Sequence, residues 1–293
     1  MSAHTLSFRL ANAIVSYVRY VVRAFWPMHL SLPYTFPGGG WEMWRIAGAV
    51  VLLVAITLAA FLLRRRARYL LVGWLWFLGS LVPMIGIVQV GGQAMADRYA
   101  YLPFVGLFVM VCWALPEMLS AIDRRKSNSA EPTLHAWPTA SLVSVSLIAL
   151  LLLATVTYRQ IGYWKNSLTL WSHAAEVDPD NDVAQDRLGS VLVTTGHEEQ
   201  ARIHFLAAAA ANPSDPMINF HMGFSEQQSG HLAKAIDYYN KVLLQTQDDI
   251  LLFASLRDKT LVNLSVAYKG LGDYNRAAEY FNEAENLRRQ YRK

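Results

Sequence analysis

Residues 182–215 read DVAQDRLGSVLVTTGHEEQARIHFLAAAAANPSD, and residues 216–249 read PMINFHMGFSEQQSGHLAKAIDYYNKVLLQTQDD. Slid over each other by one stretch, they put like residues at like places. Leu188-Gly189 matches Met222-Gly223, Gly196 matches Gly230, Ala201 matches Ala235, Phe205 matches Tyr239, and Ala208 matches Val242. A third copy, residues 258–291, follows an insertion of about eight residues and supplies Leu264-Ser265, Tyr268, Gly272, Ala277, Phe281 and Ala284. Each copy is a helix pair. Small residues sit where the two helices touch, a glycine marks the turn, an aromatic fills the gap, and Pro213 breaks the first copy's second helix.

A period of 34 residues with this spacing is that of the tetratricopeptide repeat (TPR), in which stacked pairs bury a continuous core. Stepping back one period gives Trp171, Ala174 and Pro179, the second half of a repeat over 160–181. Residues 160–178 are expected to form one helix that continues from the preceding segment and caps the stack. A stack of this kind leaves a concave groove lined by the first helix of each repeat. Its expected side chains are Asp186, Ser190 and Thr194, then Phe220, Phe224 and Gln227, then Lys259, Asn263 and Lys269. They form either a solvated face or a docking surface for a protein or peptide. Two lysines are too few for a carboxylate clamp.

The rest of the chain has another character. Of 293 residues, 54% are hydrophobic and 16% charged, against roughly 25% charged in an ordinary soluble domain. Runs at 43–63, 69–90, 101–120 and 137–158 are each long enough to span a bilayer, which takes about 20 apolar residues. The last has LIALLLLATV at its centre. The sequence thus predicts an all-α protein: a polytopic transmembrane bundle of about four spans over 43–158, then a TPR α-solenoid over 159–293. Residues 1–42 contribute an interfacial amphipathic helix and an outer loop. The helix is expected over 8–26, with Leu10, Ile14, Tyr17, Val18 and Val21 on one side.

Charge sets an expected orientation. Arg64, Arg65, Arg66 and Arg68 lie between the first two runs, and Asp123, Arg124, Arg125 and Lys126 between the last two. Basic short loops mark the cytoplasmic side. The TPR part is then non-cytoplasmic, with a bacterial inner membrane as the expected location. Residues 1–42, with Arg9, Arg19 and Arg23, would also lie outside, and upstream membrane helices are expected to precede them. The basic balance belongs to the membrane half and gives no basic patch interleaved with aromatics, so nucleic acid is not an expected partner. Membrane lipid is.

Chemistry-bearing motifs are few. The lone cysteine, Cys112, forms no internal disulfide. No metal is expected: His29 and His135 lie in loops, and His173, His197, His204, His221 and His231 show no ligand spacing. The loop 82–103, VPMIGIVQVGGQAMADRYAYLP, holds Asp97 and Arg98 with Gln89, Gln93, Tyr99 and Tyr101 close by. Charge near a bilayer is costly and usually functional. A guanidinium suits a phosphate, so Arg98 is a candidate for one, and Gln93, Asp97, Tyr99 and Tyr101 for supporting it. The alternative is an interface anchor, with the tyrosines in the headgroup belt.

These residues resemble a family. GWLWFLGSLVPMIGIVQVGGQAMADRYAYLP at 73–103, a span, a short basic loop, a span, and YRQIGYWKNSLTLWSHAAEVDPDN at 158–181 leading into repeats are similar to the TMTC-type proteins. These are TPR-containing GT-C membrane glycosyltransferases. The segment RLANAIVSYVRYVVRAFWPMHLSLPY at 9–34 resembles a stretch from the middle of such proteins. The likeness covers nearly the whole chain. ADRYAYLP and the Trp164…Trp171 junction carry it, and the repeats alone do not. It implies a GT-C fold, a lipid-linked donor such as a polyprenyl-phosphate hexose, and transfer to protein hydroxyls outside the cytoplasm, with the TPRs binding the acceptor. No other cofactor is implied. The family's acidic catalytic loop lies upstream of the matched segment, so no residue here is assigned as general base. The chain is expected to be a C-terminal portion, not catalytic alone or acting with a separate N-terminal half. The competing expectation is a membrane-anchored TPR scaffold for envelope proteins.

Overall fold

The computed structural model describes residues 5–28, 30–36, 40–87, 93–126 and 136–291. The chain divides into two compact units, Met1–Trp164 and Lys165–Lys293.

The first unit contains α1 (Leu6–Phe25), α2 (Met43–Leu62), α3 (Arg68–Leu81), α4 (Tyr101–Lys126) and α5 (Ala136–Tyr163), with one-turn 3-10 helices at Leu63–Arg65 and Asp97–Ala100. Its core gathers Trp74, Phe77 and Leu81 of α3 with Ile85, Tyr20 of α1 and Leu107 of α4. Trp74 Nε1 donates to Thr57 Oγ1 at 2.8 Å, which joins α3 to α2. Helices α3 and α4 run antiparallel: Tyr69 Oη meets Glu117 Oε2 at 2.8 Å, and Trp76 Nε1 donates to the Leu102 carbonyl at 3.0 Å. Between these contacts the backbones nearly touch. A Cβ added at Gly73 lies 2.5 Å from the Gly106 carbonyl oxygen, and one added at Gly106 runs into the Gly73 carbonyl. Only residues without a side chain permit so close an approach of two helix backbones. The antiparallel pairing also puts residues 64–68 and the end of α4 at the same end of the pair.

By length and composition, three helical stretches among the described residues can cross a bilayer: Met43–Arg65, Asp97–Met118 and Val143–Tyr163. The expected fourth, over 69–90, is corrected. Helix α3 stops at Leu81, and turns follow through Gly86, which has φ of +88°. Pro83 lacks the N–H needed to continue the helix. Within Val143–Tyr163 none of the most apolar window is buried in protein, so this face needs lipid or another helix.

The second unit contains α6 (Ser167–Val177), α7 (Asp182–Thr194), α8 (Glu198–Ala211), α9 (Pro216–Gln228), α10 (Leu232–Gln245), α11 (Ala254–Gly270) and α12 (Tyr274–Tyr291). Successive helices pair antiparallel as expected. Gly196, Gly230 and Gly272 close the three turns at φ of +79°, +78° and +80°, a left-handed conformation that side chains resist. Gly189 and Gly223 lie against the Phe205 and Tyr239 rings, each ring 2.6 Å from where a Cβ would stand. In the third pair Ser265 replaces the glycine and donates to the Ala277 carbonyl at 2.7 Å. Asn181 and Asp215 cap α7 and α9 by accepting from backbone N–H groups. The insertion also extends α11 backwards, and Arg257 ties that extra turn to the Leu243 carbonyl and Thr246 Oγ1 at 2.8 and 3.0 Å. One expectation is corrected: residues 160–178 are two helices. Asn166 accepts from the Thr169 N–H at 2.8 Å and starts α6 as a capping box.

Candidate functional site

In the first unit the site grows from one face of α1. Arg9, Asn12, Ser16, Tyr20 and Arg23 recur every three or four residues and so share a stripe. Asn12, Ser16 and Tyr20 are buried. This stripe faces the irregular backbone after α3. Arg9 donates to the Ile87 carbonyl at 3.1 Å, and Asn12 Nδ2 to the Ala94 carbonyl at 2.9 Å. Tyr20 Oη donates to the Ala96 carbonyl at 2.9 Å and accepts from the Ala96 N–H at 3.1 Å. Buried backbone outside a helix needs hydrogen-bond partners, and α1 supplies them. Leu10, on the apolar side expected at the interface, is exposed, while Ala13, Tyr20, Tyr17 and Val21 join the core beside the polar stripe.

At the end of that stripe lies Asp97. Arg23 pairs with it at 3.3 Å, and Tyr34 Oη donates to Asp97 Oδ2 at 2.7 Å. The Arg23 guanidinium also stacks on the Tyr34 ring, 3.9 Å from its centroid, and Arg19 lies over Tyr34 and Trp41 at 5.6 and 5.7 Å. Burial, with the Asp97 carboxylate alongside, holds the Tyr34 phenol well above its ordinary pKa. Gln93 Nε2 donates to Tyr99 Oη at 3.1 Å. Arg98 is exposed, 5.0 Å from the Tyr99 ring centroid, and Tyr101 is exposed. The five expected residues thus divide: Asp97 is engaged by α1 and the 30–36 segment, Gln93 and Tyr99 pair, and Arg98 and Tyr101 face outward. The roles of Arg23 and Tyr34 were not read from the sequence, because their partner Asp97 lies 74 and 63 residues away; that of Arg19 over Tyr34 and Trp41 was missed as well. Gln89, His29 and His135 lie outside the described residues.

In the second unit the groove holds an open cavity of about 390 Å³. Ser190, Phe220, Phe224, Lys259 and Asn263, all expected, line it. Asp186 does not face it in the expected way. It is buried and holds His221 Nδ1 at 2.6 Å across the repeat boundary. Gln227 accepts from Tyr239 Oη at 2.9 Å, Thr194 donates to the Val191 carbonyl of its own helix at 2.7 Å, and Lys269 is exposed away from the cavity lining. The residues missed from sequence are Val193, Phe205, His221, Val262 and the Asp258–Arg288 pair at 2.7 Å. Phe205 and Arg288 come from second helices, which the groove rule leaves out. The rings of Phe205, His221 and Phe220 contact in series at 5.4 and 5.7 Å. The floor is aromatic, and Lys259 places one cationic charge at the rim. Among the described residues no group of three metal-ligating side chains converges.

Comparison with known proteins agrees with parts of this reading. A tetratricopeptide-repeat family model matches residues 258–291. A protein O-mannosyl-transferase of Caenorhabditis elegans is 29% identical over 173 residues, which is 59% of this chain and 23% of the relative. The chain thus spans about a quarter of that protein's length. Among solved structures, a crystal structure of MamA matches 46% of this chain and 74% of its own at 21% identity with a TM-score of 0.37. MamA from Desulfovibrio magneticus, residue 41 to its end, matches 47% and 73% at 20% identity with a TM-score of 0.38. The repeat match and the O-mannosyl-transferase relative support a TPR-containing, TMTC-like relationship for this chain.

Proposed function

We propose that this chain is the repeat-bearing portion of a membrane protein O-glycosyltransferase-like protein of GT-C type, using a polyprenyl-phosphate sugar, with its TPR groove docking the protein acceptor. The observation that carries the reading is the aromatic-floored cavity of the groove, in a chain that is similar to an O-mannosyl-transferase and whose other unit exposes long apolar helices. Ligand pockets are concave and mostly apolar, with a few placed polar groups, as this cavity is.

The first unit is an integral membrane bundle, and the repeats lie on the non-cytoplasmic side. The basic residues 64–68 before α3 and the end of α4, with Arg124, Arg125 and Lys126 in its sequence, fall at one end of the antiparallel α3–α4 pair, which supports this sidedness. Arg98 is the donor-phosphate contact. Gln93, Tyr99 and Tyr101 frame it, and Asp97 positions the segment through Arg23 and Tyr34. General-base chemistry is assigned to no residue of this chain.

The second reading is a membrane-anchored TPR scaffold that gathers envelope proteins without chemistry. It needs only the apolar helices and the groove. A photoreactive polyprenyl-phosphate sugar analogue, added to membranes bearing the full chain, separates the two. Labelling of the first unit that falls several-fold in Arg98→Ala is the expected result. No labelling above that of an unrelated membrane protein would overturn the donor role and favour the scaffold.

A further inference from the structure

We infer that the groove also takes residues 248–253 from a second copy of this chain, so that copies associate head to tail. The proposal rests on the groove being a polypeptide-docking site. Two features of the second unit fit each other. The first is the insertion that breaks the repeat period. It reads Asp248-Asp249-Ile250-Leu251-Leu252-Phe253, and Leu251 and Leu252 stand 74% and 61% exposed. Asp249 Oδ1 accepts from the Leu252 N–H at 3.1 Å, which holds the turn that presents them. Exposed apolar clusters of this kind mark interaction sites.

The second feature is the cavity. Phe220, Phe224 and Val262 offer apolar surface for Leu251 and Leu252. Lys259 at its rim is complementary to Asp248, the insertion carboxylate that does not hold the turn. Asp258 is already neutralised by Arg288, so the rim keeps a net positive charge. The insertion leads straight into α11, which supplies Asp258 and Lys259 to the same chain's cavity, and its leucines there face solvent. A neighbouring copy is thus the occupant.

The contact is heterologous: each chain offers one insertion and one groove, so association grows as rings or open rows. Six residues bury far less than the roughly 800 Å² per partner of a stable interface. In solution the contact is therefore weak. Confinement of copies to one membrane raises their effective concentration and makes it significant.

The test uses full chains in membranes, with Cys112→Ser as background. One population carries Leu252→Cys and the other Val262→Cys, and mild oxidation follows co-expression. The expected result is a disulfide-linked dimer in the mixture, several-fold above either population alone. Lys259→Asp should abolish it, and Asp248→Lys in the partner population should restore it. All these positions are exposed or half-exposed, and a melting profile matching the parent certifies each variant. A mixture with no more dimer than its components, or a dimer indifferent to Lys259→Asp, overturns the proposal. If either occurs while the groove still binds polypeptide, the docking reading stands and only the self-association fails. A groove that binds neither overturns both.

Discussion

The two units solve opposite packing problems with the same secondary structure. In the repeats, each helix pair satisfies its own backbone and buries small and aromatic side chains: Ala201, Ala235, Phe205 and Tyr239 are at most 1% exposed. In the first unit the inside holds a polar stripe, and the outside holds Val51, Leu62, Val72 and Leu151, all more than 60% exposed. Water drives the first arrangement. The second makes sense in lipid, where irregular backbone must be satisfied by protein and apolar surface costs nothing. In the repeats apolar side chains are gathered inside, whereas in the first unit they lie both in the core, as Trp74, Phe77 and Leu81 do, and on the exterior.

This contrast breaks first at the repeat aromatics. Phe205→Ala should destabilise the second unit by about 3–5 kcal/mol, seen as an early thermal transition of the full chain. Phe281→Ala, at the matching position of the last pair but 46% exposed, should cost under about 1 kcal/mol. Equal losses would mean that the last pair is capped by something else. In the first unit Tyr20→Phe should cost about 1–3 kcal/mol, because it strips the Ala96 N–H of its partner and leaves the Ala96 carbonyl with the Tyr99 N–H alone. Limited proteolysis in detergent should then cut near residues 93–97. Gly196→Ala asks less of the structure. Nothing crowds the added methyl, but φ of +79° costs about 1–2 kcal/mol.

The smallest expected effect is one of pH. Burial lowers the His204 pKa from 6.5, and the imidazole lies 2.7 Å from Gln185 Oε1. The unfolded chain therefore binds this proton more readily than the folded one. The stability from neutral His204 is present above about pH 6.5 and is lost as pH falls toward the folded pKa. His204→Asn should flatten that slope in urea titrations between pH 7 and pH 5.

The repeats were legible because their rule is local: a glycine where a turn needs positive φ, a small residue where the ring of the paired helix packs against it. Phe220 and Phe224 followed from the same rule as groove residues. Asp186 did not, since its burial depends on His221 of the next repeat, an interaction no single-repeat pattern encodes. The stripe on α1 escaped for a different reason. Leu10, Ile14 and Val18 point, by their spacing, to an interfacial helix and say nothing of the polar residues between them. Asn12, Tyr20 and Arg23 answer a segment 82, 76 and 74 residues away. The length of α3 was misjudged because Met84, Ile85 and Ile87 keep the run apolar after Pro83 has ended the helix.

The account stands most directly on the groove. Binding of a labelled unfolded polypeptide rich in serine and threonine should be titrated against the full chain in nanodiscs, beside the doubly substituted Phe220→Ala/Phe224→Ala chain. Loss of two half-buried aromatic anchors is expected to weaken binding by at least about tenfold with the melting of the first unit unchanged. Equal affinity of the two chains would contradict the assignment of this cavity as the polypeptide-docking site.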